Sequence, residues 1–232
     1  MQQTIEFSPA FAMATVELAP GESLTVEAGS MVGMSDGMII KTGFGSNLGG
    51  FFSRVSSFFM AVIRKIFAKE SFFLNTYTPP VGQGGKVLFA PAISGDITHY
   101  EMAEGRALMV QASSYLASAG AVRVKTKFGG FKSLFSGEGA FWLHASGSGD
   151  LWVNSYGAIH AIDVQGSFIV DTGHIVAYED SLTYKIKTAG GFKATLMSGE
   201  GLVCEFLGHG KLYIQTRDLG ATIGWILPRL KS

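Results

Sequence analysis

The sequence predicts an all-β protein, a β-sandwich or double-stranded β-helix-like fold built from three pseudo-equivalent repeats, with one inserted amphipathic helix at about residues 50–68. Three observations predict it. Ser136-Gly137-Glu138-Gly139 recurs letter for letter as Ser198-Gly199-Glu200-Gly201, and Lys69-Glu70-Ser71-Phe72 is a degraded third copy ahead of Phe73-Leu74. Repetition of this kind, without a catalytic companion, reports architecture. Short runs of β-branched and aromatic residues are punctuated throughout by Gly, Ser, Asp or Pro, the pattern of strands and turns. The 31 glycines supply the tight turns that such a chain needs.

The repeat extends on both sides of the motif. Leu24-Thr25-Val26-Glu27-Ala28-Gly29 lines up with Leu108-Met109-Val110-Gln111-Ala112-Ser113 and with Phe168-Ile169-Val170-Asp171-Thr172-Gly173. Ile40-Lys41-Thr42 matches Val124-Lys125-Thr126 and Ile186-Lys187-Thr188, and Gly149-Asp150-Leu151-Trp152 matches Gly210-Lys211-Leu212-Tyr213 and, less well, Gly85-Lys86-Val87-Leu88. A single β domain over 1–232 follows, with units at about 10–96, 97–158 and 159–219 and a tail at 220–232. In the strand after each Glu motif, alternation puts Leu74, Trp142 and Cys204 on one side and Asn75 and Glu205 on the other. The first side is expected to face one interior shared by all three units. The tail, Ala221-Thr222-Ile223-Gly224-Trp225-Ile226-Leu227-Pro228-Arg229, is apolar and is expected to pack back on the sheet or on a neighbouring chain.

The first unit is longer than the others, and the excess falls between Thr42 and Lys69. There Phe51, Phe52, Val55, Phe58, Phe59, Val62, Ile63, Ile66 and Phe67 follow one helical stripe, while Arg54, Ser56, Ser57, Arg64 and Lys65 fall outside it. Two partners fit this helix. Its stripe can lie in a membrane interface with the basic residues near anionic head groups, or it can pack on this chain's own sheet or on another subunit, the commoner fate of an amphipathic stripe.

Composition narrows the function. Eighteen basic and eighteen acidic residues cancel, which disfavours a nucleic-acid binder needing a surplus of phosphate contacts. One cysteine excludes an internal disulfide framework and fits a reducing compartment. Met1-Gln2-Gln3-Thr4 does not open a signal peptide, and no apolar run approaches the ~20 residues of a membrane span. The expectation is a cytoplasmic protein, peripheral to the inner membrane if the inserted helix meets lipid. The charged residues from Met1 to Ile40 are all acidic and those from Lys41 to Lys69 all basic, a segregation suited to pairing within the fold or between copies of the chain.

Glu70, Glu138 and Glu200 are the repeated carboxylates. Near a pseudo-threefold axis they would form a weak cation site; as Gly-flanked turn residues they would accept backbone N–H groups, the reading that repetition favours. Gly43-Phe44-Gly45-Ser46-Asn47-Leu48-Gly49 resembles a phosphate cradle, but the chain lacks the βαβ units such a cradle needs, and Phe128-Gly129-Gly130-Phe131 and Gly190-Gly191-Phe192 occupy the same place in the other units. His99, His144, His160, His174 and His209 lack ligand spacing. Cys204 reads as a small buried apolar residue, not a nucleophile. Lys41, Lys125 and Lys187 recur once per unit and would make at most a weak basic ring for RNA. No nucleophile, base and orienting group can be assembled, so neither an enzyme nor a cofactor is expected.

Leu18-Ala19-Pro20-Gly21-Glu22-Ser23, Ala28-Gly29-Ser30-Met31-Val32, Glu70-Ser71-Phe72-Phe73, the Ser-Gly-Glu-Gly copies and Ile214-Gln215-Thr216-Arg217 together resemble the altered-inheritance-of-mitochondria protein family. The resemblance runs from about Phe7 to Arg217. It implies a fold similar to the tryptophan RNA-binding attenuation protein. Fungal members of the family are linked to mitochondrial inner-membrane organisation, bacterial members have no established activity, and no catalytic residues are implied. The function expected on these grounds is a non-enzymatic structural or scaffolding protein, self-associating as a homo-oligomer (a trimer-based assembly is open) and able to touch a membrane surface. The alternative is a small-ligand or RNA binding module that uses the β-sheet surface.

Overall fold

The computed structural model describes residues 1–44, 73–128, 141–188 and 202–230. Among them the chain is all β, apart from two short 3-10 turns and one C-terminal helix. The strands are β1 Gln2–Glu6, β2 Met13–Leu18, β3 Leu24–Glu27, β4 Met31–Met34, β5 Ile39–Phe44, β6 Phe73–Thr78, β7 Gly85–Phe89, β8 Ile97–Met102, β9 Ala107–Gln111, β10 Tyr115–Gly120, β11 Arg123–Phe128, β12 Phe141–Ser146, β13 Gly149–Asn154, β14 Ile159–Asp171, β15 Ile175–Glu179, β16 Thr183–Thr188 and β17 Leu202–Gln215. Helix α1 spans Leu219–Leu230.

The strands form three antiparallel sheets: β1-β2-β7-β4, then β5-β6-β3-β10-β13-β8, then β11-β12-β9-β15-β17-β14 with β16 also on β17. One pairing scheme accounts for all three. In the first group β2 pairs β7, β7 pairs β4, β3 pairs β6 and β6 pairs β5. The second group repeats this with β8, β13, β10, β9, β12 and β11. In the third group the long β14 and β17 each serve as two strands, pairing along their whole length, with β15 and β16 completing the scheme. Even an irregularity repeats. The register skips Val32 in β4, Leu116 in β10 and Val176 in β15, so each of these strands carries a one-residue bulge at the same place.

The same strand pairing joins each group to the next. Strand β10 of the second group pairs β3 of the first, Ala117 opposite Val26, and β15 of the third pairs β9 of the second, Ala177 opposite Val110. Burial follows these junctions. The first core contains Val16, Leu24, Val26, Tyr77 and Phe89 and is completed by Leu116, Ala117 and Trp152 of the second group. The second contains Leu108, Val110, Leu143 and Ala145 and is completed by Val176, Ala177 and Tyr213 of the third. The third contains Val164, Val170, Cys204, Phe206 and Leu212, with Trp142 of β12 packed against Tyr178 and Tyr184.

This corrects the expectation of one shared interior. Leu74 belongs to the second core, whereas Trp142 and Cys204 belong to the third. Letter matching also misplaces Cys204 by one position. Val170 stands opposite Cys204 as Val110 stands opposite Leu143 and Val26 opposite Asn75, so Cys204 corresponds to Leu143 and not to Trp142. A one-residue slip exchanges the two faces of a strand, which is why alternation points to the wrong partners.

The glycine that recurs at Gly85, Gly149 and Gly210 sits at close approaches. At Gly149 the backbone lies at φ 139, and a Cβ there would fall on the carbonyl of Ala119 across the β10–β13 pair. At Gly85 a Cβ would meet the Met38 thioether, and at Gly210 the side chains of Ser181 and Leu182. At Gly149 the contact is with backbone at positive φ and only glycine fits; at the other two sites a side chain would have to shift.

Candidate interaction surfaces

Glu70, Glu138 and Glu200, and the helix residues Phe51, Phe52, Arg54, Phe58, Phe59, Ile63, Arg64 and Lys65, lie outside the described residues. Among those that are described, no three His, Cys, Asp or Glu side chains gather as metal ligands. The histidines have separate partners. His99 Nε2 sits 2.6 Å from Asp150 Oδ1 and its ring leans on Trp152. His174 Nδ1 lies 2.7 Å from the Gln215 carbonyl, and His209 Nδ1 3.2 Å from Gln165 Oε1. Burial, followed by the charge of Lys127, lowers the pKa of His144. His160 is exposed. Cys204 is buried, and desolvation pushes its thiol up to about 12, far from the range of an activated nucleophile.

Polar chemistry concentrates at the junction of the second and third groups. Glu179 Oε1 accepts from Arg106 Nη2 at 2.6 Å and from the Tyr100 hydroxyl at 3.2 Å, and its Oε2 accepts the Lys211 backbone N–H at 2.9 Å. Lys211 Nζ in turn reaches Asp163 at 2.7 Å. Burial raises the pKa of both Tyr100 and Tyr213, with the Glu179 charge adding to each. All the carboxylates here are paired to cations or backbone donors, and the arrangement clamps two groups together. Lys41, Lys125 and Lys187 are exposed, but they do not form an equivalent set. The register puts Lys185, not Lys187, in the place of Lys41 and Lys125, each opposite the residue after the Asn75, Leu143 and Cys204 positions. Lys187 instead pairs with Glu205 at 2.6 Å.

Two apolar surfaces among the described residues bear on association. The first is α1. Asp218 caps it, its carboxylate oxygens each accepting at 2.9 Å from the backbone N–H groups of Gly220 and Ala221. Below the cap, Gln215 fixes the approach, accepting from the Tyr156 N–H and donating to the Gly173 carbonyl. None of the helix's residues is buried. Leu219, Ile223, Ile226 and Leu227 are exposed, Trp225 is 62% exposed and Leu230 74%, and the Arg229 guanidinium stacks 4.1 Å from the Trp225 ring centre. Of the two fates expected for the tail, close packing on its own sheet is not seen among the described residues, where Thr222 bonds back to the Tyr156 hydroxyl at 3.3 Å. Its helicity has a legible signal, an Asp immediately ahead of an apolar run. No helix among the described residues is long and apolar enough to cross a membrane.

The second surface is divided between two strand edges. β4 ends the first sheet and the second half of β14 ends the third. Val32 on β4 is 58% exposed and Ile169 on β14 is 56% exposed, with Met31, Met34 and Phe168 exposed beside them.

A family described as "Mitochondrial biogenesis AIM24" matches residues 4–217. The chain belongs to the AIM24 family. A relative among curated proteins, an uncharacterized protein of Streptococcus pyogenes serotype M6, is 32% identical over 226 residues, covering 94% of this chain and 87% of its own length. The fold is also similar to that of a Streptococcus pyogenes protein whose crystal structure superposes with a TM-score of 0.76 at 27% identity, over 98% of this chain and 99% of the other. The resemblance read from the sequence therefore holds over nearly the whole chain, and the all-β architecture with it.

Proposed function

We propose that this AIM24-family protein is a non-enzymatic structural protein that associates with itself and rests on a membrane surface. The observation that carries the membrane reading is α1, a capped helix of 12 residues with large apolar side chains exposed and none buried. At about 18 Å it is too short for a hydrocarbon core of about 30 Å. Its Trp225 and Arg229 suit the interface, where an amphipathic ring sits at head-group level and a cation meets anionic lipid. The self-association reading is supported by the exposed apolar edges of β4 and β14.

Flotation with vesicles containing anionic lipid tests the membrane part. Replacing Trp225, Ile226 and Leu230 by Ser removes exposed apolar surface of α1, so the unfolding midpoint should move little while flotation is lost. Unchanged flotation of a folded triple variant overturns the membrane assignment. A solution mass of one chain across the accessible concentration range overturns self-association. Stabilisation by single-stranded RNA or by a small ligand in a thermal-shift screen would favour the binding-module reading instead.

A further inference from the structure

Among the described residues the junction between groups is built twice and left open once. We propose that a second copy of this chain closes it, the β4 edge of one copy pairing antiparallel with the second half of β14 of another, Gly33 opposite Val170 and Met34 opposite Ile169. The inference rests on the self-association reading above and gives it a surface, a direction and a register.

The register follows from the two junctions already formed. Ala117 stands opposite Val26 and Ser118 opposite Thr25; Ala177 stands opposite Val110 and Tyr178 opposite Met109. Through the shared bulge, Gly33 and Met34 hold the places of Ala117 and Ser118. Val170 and Ile169 hold the places of Val26 and Thr25 by their pairing with Cys204 and Glu205.

Burial shows what is missing. The bulge residues Leu116 and Val176 are fully buried, each inside the core of the group before its own, while their counterpart Val32 is in water. On the other side, Leu24 and Leu108 are buried under the next group's strand, while their counterpart Phe168 is exposed. The third core thus lacks the wall that the first and second receive, and Val32 is the residue shaped to provide it.

The edges themselves favour pairing. Exposed sheet edges are ordinarily protected by charge, above all by Lys. The other end strands follow that rule: Glu6 on β1, Lys41 on β5, Glu101 on β8, Lys125 on β11 and Lys185 on β16. Met31–Met34 carries no charge. On β14 the residues placed to face it, Phe168-Ile169-Val170, carry none, and the charge that ends the strand, Asp171, is turned to the Gly173 N–H. Because the two edges differ, the contact is heterologous, and successive copies would extend the array head to tail into a ring or a filament.

The test uses the full chain and two single variants, Val32→Lys and Ile169→Lys, whose substituted side chains are exposed in the isolated chain. Wild type should show a concentration-dependent mass above one chain by light scattering. Each variant alone should run as a monomer with its unfolding midpoint unchanged. Mixed in equal amounts they should form a dimer and stop there, because each supplies the edge the other has lost. Variants that retain the wild-type mass overturn the edge pairing while leaving self-association standing. Monomeric variants that do not recover on mixing overturn the head-to-tail direction, and a wild type that is monomeric throughout overturns both readings together. A mixture of Met34→Cys and Ile169→Cys chains should cross-link under mild oxidation, since directly opposed strand residues lie within disulfide reach. Equal cross-linking of Met34→Cys with Ser167→Cys, two residues out of register, overturns the proposed register.

Discussion

Among the described residues Glu27 is the carboxylate most changed by folding, and the direction of its shift sets the sign of a pH dependence. It lies at the end of β3, where desolvation raises its pKa from 4.5 to about 7 against a weaker lowering by the hydrogen bond from the Ser30 hydroxyl at 3.1 Å. In the unfolded chain it ionises near 4.5; in the folded chain it holds its proton until about 7. Below pH 4.5 both states are protonated and the group has no effect. Between 4.5 and 7 the folded state binds more protons than the unfolded, so stability falls as pH rises, by about 3 kcal/mol in total, and then levels off. Glu27→Gln removes the titration while keeping size and hydrogen-bonding capacity, and the second group already carries Gln111 at this place. Urea midpoints of both proteins, measured from pH 4.5 to pH 8, should coincide at the acid end and separate above it, with the variant more stable by about 3 kcal/mol at neutral pH by the same linkage. Parallel pH profiles for the two proteins would refute the reasoning, since they would mean that Glu27 titrates alike in the folded and unfolded chain.

A labelling reaction and a pair of substitutions probe the cores. With its pKa near 12, Cys204 should be about one part in ten thousand thiolate at pH 8, so a thiol-reactive disulfide reagent should leave the native protein untouched and label it fully in denaturant; rapid native labelling would contradict its burial. The Trp152 indole N–H is buried and has no hydrogen-bond partner among the described residues, while its ring packs edge-on to Phe89 at 5.8 Å. Trp152→Phe should therefore cost no more than about 1 kcal/mol, because relief of an unsatisfied donor offsets lost contact, whereas Trp152→Ala should cost about 3–5 kcal/mol; equal losses in urea denaturation would show that the N–H is satisfied.

The all-β class and the family were legible in the sequence because both rest on signals that local chemistry writes directly. Turn residues and β-branched runs mark strands, and motif order marks kinship. Register was less legible. The Ser-Gly-Glu-Gly copies are 62 residues apart, but the β9 and β14 segments are 60 apart and the β12 and β17 segments 61, so an alignment anchored on the motif slides by one or two residues as it leaves it. That slip puts Lys187 where Lys185 belongs and Cys204 where Val203 belongs. In a β protein a slip of one residue changes the face and hence the partners, so correct letters yield an incorrect interior. The candidate site was legible only as apolar stretches. Ala221–Arg229 reads as apolar, but whether it packs on the sheet depends on tertiary contacts that no local pattern records.

The open junction shows the same limit from the other side, because equivalent positions of the three groups differ in burial and not in residue type. Val32, Leu116 and Val176 are all aliphatic bulge residues, so residue type alone does not separate them. Only the structure distinguishes the two that are covered from the one that is not. Had the first group merely capped the array, water would favour a polar side chain at this place and a charge on the edge, as the lysine-bearing end strands show. Met31-Val32-Gly33-Met34 has neither, and across the array Phe168-Ile169-Val170 has neither before the strand ends at Asp171, whose carboxylate accepts the Gly173 N–H. Terminal units of a repeat protein that stands alone carry polar outer faces. Here both ends keep the residues of an internal junction, which is the composition expected of a chain whose outermost units are internal to something larger.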